Sequence, residues 1–232
     1  ETGLTTINLV EAYNNAAPVN MSDFASDVEY VRLETREETL YSRLSLNGVL
    51  GDSMILVKSY DRISLFNRAN GKYIKDIGHR GDDPEGFSNA MGTLGVNARN
   101  STVYARGKRF DLYEYSLKNG RLLNTLPGPN IDGLENSLSS NSMDVSLITA
   151  YGILGDSLLA GYFMNNKGDE PIKLVVYNRN GEVIKLHPNN QRFVKLTNVF
   201  RMESPDFHDS NNALVFKENF TDTVVNVGVY TL

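Results

Sequence analysis

Three stretches of the chain share one alternation of apolar and polar positions. Ile63 to Ile77 reads ISLFNRANGKYIKDI, Leu112 to Leu126 reads LYEYSLKNGRLLNTL, and Leu174 to His187 reads LVVYNRNGEVIKLH. Each opens with an alternating apolar run that ends on an aromatic residue, Phe66, Tyr115 or Tyr177. A polar turn then closes on Asn70-Gly71, Asn119-Gly120 or Asn180-Gly181, followed by a charged residue and a second apolar run. A period of two marks a half-buried strand. Asn-Gly between two such runs predicts a hairpin, because both residues tolerate the positive φ of tight turns.

The stretches ahead of these hairpins repeat as well. Asp52 to Val57, Ser101 to Ala105 and Asp156 to Ala160 each combine a polar turn with a short apolar strand. Further strands are expected within Leu44 to Leu50, Met91 to Ala98 and Val145 to Leu154. The unit is therefore four strands, recurring at intervals of roughly 40–60 residues, which predicts a propeller blade. A less regular fourth unit runs from Val199 to the end, with strands at Ala213 to Lys217 and Asp222 to Val227. No helical periodicity is sustained over three turns. The expectation is an all-β chain: a single β-propeller domain or propeller fragment over 1–232, made of four-stranded antiparallel blades, about four of them within 41–232. A β-sandwich assembled from the same hairpins is the alternative. Residues 1–27 read as an N-terminal arm, and 28–35, where Val28, Tyr30, Val31 and Leu33 face Glu29, Arg32 and Glu34, as a strand that closes the ring.

Composition narrows the chemistry. Apolar residues make up 41% of 232 and charged residues 22%, values of an ordinary globular chain. Cysteine is absent, which excludes disulfides, thiolate metal sites and a Cys nucleophile. The net charge of −5 argues against nucleic acid as a partner, since that affinity rests on Lys and Arg neutralising phosphates. No apolar run reaches the roughly 20 residues of a transmembrane helix. The chain opens on Glu1 without a Met, which is expected of a processed or engineered form; a segment removed upstream would carry any address or lipid anchor.

The residues resemble the six-bladed β-propeller proteins abundant in Bacteroidetes, many of them predicted lipoproteins of unknown function. The likeness runs through Ile7-Asn8-Leu9, Val28 to Thr35, Leu65-Phe66-Asn67, Gly71-Lys72-Tyr73-Ile74, Ile77-Gly78, Gly81 to Phe87 and Thr221 to Val224. In the Gly81 to Phe87 loop, Asp83 replaces a family glycine and Glu85-Gly86 stands in reversed order. The resemblance implies an exported protein of the periplasm or outer-membrane surface. Family members are longer, which implies that this chain lacks the last blades or is a shortened relative.

Candidate chemistry concentrates in two places. His79, Arg80, Asp82, Asp83 and Glu85 form the densest polar cluster, and its carboxylates could hold a hard cation such as calcium through oxygen ligands; a blade-to-blade connection with solvated charges is the plainer account. Arg106, Lys108 and Arg109, beside Phe110, Tyr113 and Tyr115, form a basic-aromatic patch suited to a sugar face or an anion. Asp206-Phe207-His208-Asp209, whose Asp206 and His208 would share a face if extended, is the local candidate for a zinc site. No Gly-x-Ser-x-Gly elbow is present, and no catalytic residue or required cofactor is assigned. The expected function is a non-enzymatic binding or scaffold module for a protein, peptide or glycan, with a metal-assisted hydrolase or lyase at the channel mouth as the alternative.

Overall fold

Each of the three recurring stretches forms the last hairpin of a four-stranded antiparallel sheet. The computed structural model of the chain describes residues 8–41, 45–50, 53–88, 90, 95–108, 111–131, 148–165, 168, 170–190, 206–210, 213–217 and 224–228. Two units emerge, Glu1–Arg32 and Leu33–Leu232. In the first, a short helix, α1 (Leu9–Asn14), starts where the Asn8 carboxamide oxygen accepts the Glu11 N–H at 3.1 Å. A 3-10 turn follows at Met21–Asp23.

The second unit carries all the described strands. Sheet 1 is β1 (Ser45–Leu50), β2 (Met54–Lys58), β3 (Ile63–Asn67) and β4 (Tyr73–Asp76). Sheet 2 is β5 (Gly95–Asn97), β6 (Thr102–Arg106), β7 (Leu112–Ser116) and β8 (Leu122–Leu126). Sheet 3 is β9 (Ile148–Leu154), β10 (Leu158–Phe163), β11 (Ile172–Asn178) and β12 (Val183–Pro188). In sheet 4, β13 (Asp206–Ser210), β14 (Ala213–Lys217) and β15 (Val224–Gly228) are described. In every sheet the strands pair antiparallel in chain order.

The Asn-Gly turns close the expected hairpins, but not through positive φ at both residues. Only the glycine takes a positive φ, +66° at Gly71, +76° at Gly120 and +83° at Gly181. Gly71 and Gly120 donate to carbonyls four residues back, Asn67 and Ser116, each at 2.8 Å. Asparagine instead supplies an acceptor: Asn70 and Asn119 side chains take the N–H of Lys72 and Arg121, both at 3.0 Å. The glycine carbonyl faces outward from the turn and accepts a backbone N–H from an earlier connection. Glu34 donates to Gly71 at 2.8 Å, Gly78 to Gly120 at 2.8 Å, and Asn130 to Gly181 at 2.7 Å. A Cβ on Gly120 would stand 2.7 Å from the Asp76 carbonyl, and one on Gly181 2.7 Å from that of Gly128. Glycine is required at both positions by the backbone angle and by the close approach.

A second repeat is a β-bulge. Leu65 pairs with Lys75 and Phe66 with Tyr73, so Ile74 is the extra residue. The register skips Leu123 in sheet 2 and Ile184 in sheet 3 at the equivalent place. All three bulge residues leave large apolar side chains exposed. A bulge twists an outer strand and spoils its edge for pairing with another chain.

The core lies between consecutive sheets. Leu56, Ile63, Leu65 and Phe87 pack with Val103, Tyr113 and Tyr115 between sheets 1 and 2. Tyr104 and Leu112 pack with Tyr151, Val175 and Tyr177 between sheets 2 and 3. Leu154, Leu174 and Val176 meet Val227 between sheets 3 and 4. The recurring aromatics Phe66, Tyr115 and Tyr177 are all buried, as expected of inter-sheet core.

The strand expected over 28–35 does not form: this stretch carries no β-ladder. The Glu34 backbone bonds the Gly71 carbonyl, and its carboxylate takes the Tyr73 N–H at 2.9 Å and pairs with Arg36. Val28 and Tyr30 are left exposed, so the alternation does not mark a buried face, and among the described residues the stretch has no partner strand. Among the described residues no helix is long and apolar enough to cross a membrane.

Candidate functional site

Two connections build a cleft of about 630 Å³, lined by Asp61, Arg62, Asp76, Gly78, His79, Arg80, Gly81, Asp82 and Ser88. One is the β2–β3 turn, closed by the Ser59 N–H on the Arg62 carbonyl at 2.8 Å. The other is the loop after β4, folded on itself by Phe87 N–H to the His79 carbonyl at 2.9 Å and by a parallel bridge between Arg80 and Phe87. Phe87 is fully buried and meets Tyr115 edge-on, ring centroids 6.2 Å apart. The loop thus hangs from one core anchor. Three further contacts hold its outer limb. The Tyr115 hydroxyl donates to the Glu85 carbonyl at 2.6 Å. The Lys108 ammonium donates to the Asp83 carbonyl at 2.9 Å and also to that of Asp82. His79 Nε2 lies 2.6 Å from the Asp83 carboxylate.

The charged groups in the cleft are fixed on one side and open on the other. Arg80 lays its guanidinium over the Tyr60 ring, 4.6 Å from the centroid, and its Nε donates to the Ser88 carbonyl at 3.2 Å. Asp76 accepts the Ser64 hydroxyl at 2.5 Å, while Arg62 Nε reaches its other oxygen only at 3.5 Å, beyond an ordinary hydrogen bond. Among the described residues, the buried Arg62 Nη1 has no hydrogen-bond partner. The Ser59 hydroxyl, 2.7 Å from Asp61, holds that carboxyl below its ordinary range. Likewise the His79 hydrogen bond keeps the Asp83 carboxyl low. Both carboxylates are ionised at neutral pH.

The sequence-predicted residues separate into three groups. His79, Arg80 and Asp82 line the cleft. Asp83 and Glu85 shape the loop beside it, through the His79 contact and the Glu85 carbonyl. Arg106 lies outside the lining, and its carbonyl accepts both the N–H and the hydroxyl of Ser88 at 3.0 Å. Tyr113, expected in an exposed basic-aromatic patch, is instead 5% exposed. In β7 the side chains of Tyr113 and Tyr115 share the face turned to sheet 1, whereas Leu112 and Glu114 share the other. Arg109 and Phe110 lie outside the described residues.

The carboxylates considered as calcium ligands do not converge. Asp83 turns to His79, and the loop carbonyls beside it receive the Lys108 ammonium where a cation would sit. Among the described residues, no group of three His, Asp or Glu side chains is spaced to hold a metal ion. Sequence reading missed Asp61, Arg62 and Ser88. No local motif ties Arg62 to His79; the antiparallel pairing of β3 with β4, Ser64 opposite Asp76, brings the two connections together.

Residues 4–232 match the family described as a domain of unknown function, DUF4934. The chain belongs to this family. No curated protein matches the DUF4934 chain. Its fold is similar to that of a crystal structure provisionally described as an exported protein of Bacteroides fragilis NCTC 9343, with TM-score 0.63 and 16% identity. That match covers 87% of this chain and 52% of the other, so the DUF4934 chain spans about half the length of that structure. A weaker likeness, TM-score 0.42 at 14% identity over 76% of this chain and 40% of the other, is to BamB from Moraxella catarrhalis.

Proposed function

We propose that this DUF4934 chain is a propeller-type, non-enzymatic binding module working outside the cytoplasm, with the Asp61–Ser88 cleft as its ligand site. The observation that carries this is the convergence of six ionisable side chains, from Asp61 to Asp82, in one cleft. Their positions are fixed by loop contacts while part of their hydrogen-bonding capacity remains open. Reading each sheet as a blade fits the core layers between consecutive sheets and the repeated turn-glycine contact. On this reading the cleft lies at the end of the blades where connections converge, a common place for ligands. The exported description of the Bacteroides fragilis structure supports an envelope location, the periplasm or outer-membrane surface, with a lipid anchor upstream as one means of tethering.

Thermal-shift and calorimetric screening of the chain against oligosaccharides and short peptides tests the reading. The expected result is a ligand that raises the melting temperature in wild type and fails to do so in Arg62→Ala. Binding that survives Arg62→Ala unchanged would overturn the site, and turnover of the bound compound would overturn the non-enzymatic part.

A further inference from the structure

Resting on the reading of the cleft as a ligand site, we infer that its ligand is a neutral, hydroxyl-rich glycan. Three features of the lining select this class.

The first is charge balance. Arg62 and Arg80 share the cleft with Asp61, Asp76 and Asp82, and His79 is engaged with Asp83. A fully anionic ligand would meet three carboxylates, and a cationic one two guanidiniums. Either arrangement leaves like charges facing one another, which is costly at a partly desolvated site. A neutral ligand avoids both.

The second is the donor and acceptor inventory. Carboxylates only accept and guanidiniums only donate. A ligand satisfying both in one cleft must offer donors and acceptors side by side. Adjacent hydroxyls do this, each giving its hydrogen to a carboxylate and its lone pairs to an arginine. Arg62 is poised for such an oxygen: its Asp76 contact is long, and its side chain keeps 31% exposure. The Asp82 carboxylate is exposed on the opposite limb, with that residue's backbone carbonyl held by Lys108.

The third is the lack of apolar lining. Apart from two glycines, every lining residue is polar or charged. Peptide partners draw affinity from aromatic or aliphatic anchors, or from pairing with a sheet edge. The lining residues include no apolar side chain, and the outer strands of sheets 1 to 3 carry bulges that spoil edge pairing.

The test is calorimetric titration of the whole chain with three sets of probes. These are neutral oligosaccharides of glucose, mannose, galactose and N-acetylglucosamine, the corresponding glucuronate and galacturonate oligosaccharides, and a mixture of tetrapeptides. The expected result is binding by a neutral oligosaccharide, weaker binding by its acidic counterpart, and a loss of about tenfold or more in Asp82→Ala from one charge-assisted hydrogen bond. Arg121→Ala, on a distant turn, should leave affinity within about twofold. Tighter binding by a uronate or a peptide, still sensitive to Asp82→Ala, would overturn the glycan inference and leave the cleft reading standing. Binding insensitive to both Asp82→Ala and Arg62→Ala, or no binding by any probe, would overturn both.

Discussion

Arg179 carries its guanidinium from the β11–β12 turn onto the carboxylate of Glu114 in the neighbouring sheet, with Nη2 2.5 Å from Oε2. Glu114 is almost fully buried and also accepts the Tyr104 hydroxyl at 2.5 Å and the Asn124 amide at 2.6 Å. The carboxylate is therefore saturated, and it clamps sheets 2 and 3 together. Replacing Glu114 by Ala leaves a phenol, an amide and a guanidinium without their acceptor. The expected loss is about 3 kcal/mol, read as a drop of roughly 6–12 °C in melting temperature for a chain of this size. A change below about 2 °C would show that the clamp is dispensable.

The same residue gives stability an acid dependence. Burial alone would raise the Glu114 carboxyl, but the hydrogen bonds from Arg179, Tyr104 and Asn124 outweigh it and hold the group below its ordinary 4.5. A depressed carboxylate contributes stability in full above its unfolded value, and loses it as pH falls through the folded one. Denaturant unfolding of wild type and Glu114→Gln should differ most at pH 7 and converge in strong acid. A constant difference from pH 7 to pH 3 would contradict this assignment.

Lys58, at the end of β2, behaves in the opposite sense. Burial lowers its ammonium to about 8 from 10.5, so the charged form is penalised in the folded state. Below pH 8 that penalty is present in full, and it is relieved as pH rises from 8 to 10.5. Lys58→Met should stabilise the chain at pH 7 and lose its advantage near pH 10.5. An advantage independent of pH would place the gain in packing instead.

Gly120 and Gly181 should tolerate no side chain. An Ala at either must hold a left-handed backbone and push against a carbonyl 2.7 Å from its Cβ. Each substitution should cost more than about 1 kcal/mol, measurable by thermal unfolding. An unchanged melting temperature for both would refute the inter-sheet role of the turns.

These contrasts mark what the chain reveals in one dimension. The hairpins were legible because alternation and Asn-Gly act over a few residues, and the unit boundaries fell close to the observed strands. The bulges at Ile74, Leu123 and Ile184 were not, since an inserted residue leaves the local pattern intact and shows only in pairing. Tyr113 was misplaced by reading neighbours in sequence as neighbours on a surface; its period-two relation to Tyr115 already pointed to the core. Residues 28–35 alternate like a strand, yet Glu34 spends its backbone and side chain on the Gly71 turn and Arg36. Half of the cleft was visible as the His79 to Glu85 cluster. Asp61 and Arg62 come to it through the pairing of β3 with β4, which no short motif encodes.

Amide NMR of the labelled chain, titrated with the neutral oligosaccharide that binds in calorimetry, tests the placement of the site most directly. Shifts concentrated at Arg62, Gly78 to Asp82 and Ser88 are the expected result. Shifts confined to the outer strands or the residues before Leu33, with the cleft amides unmoved, would contradict it.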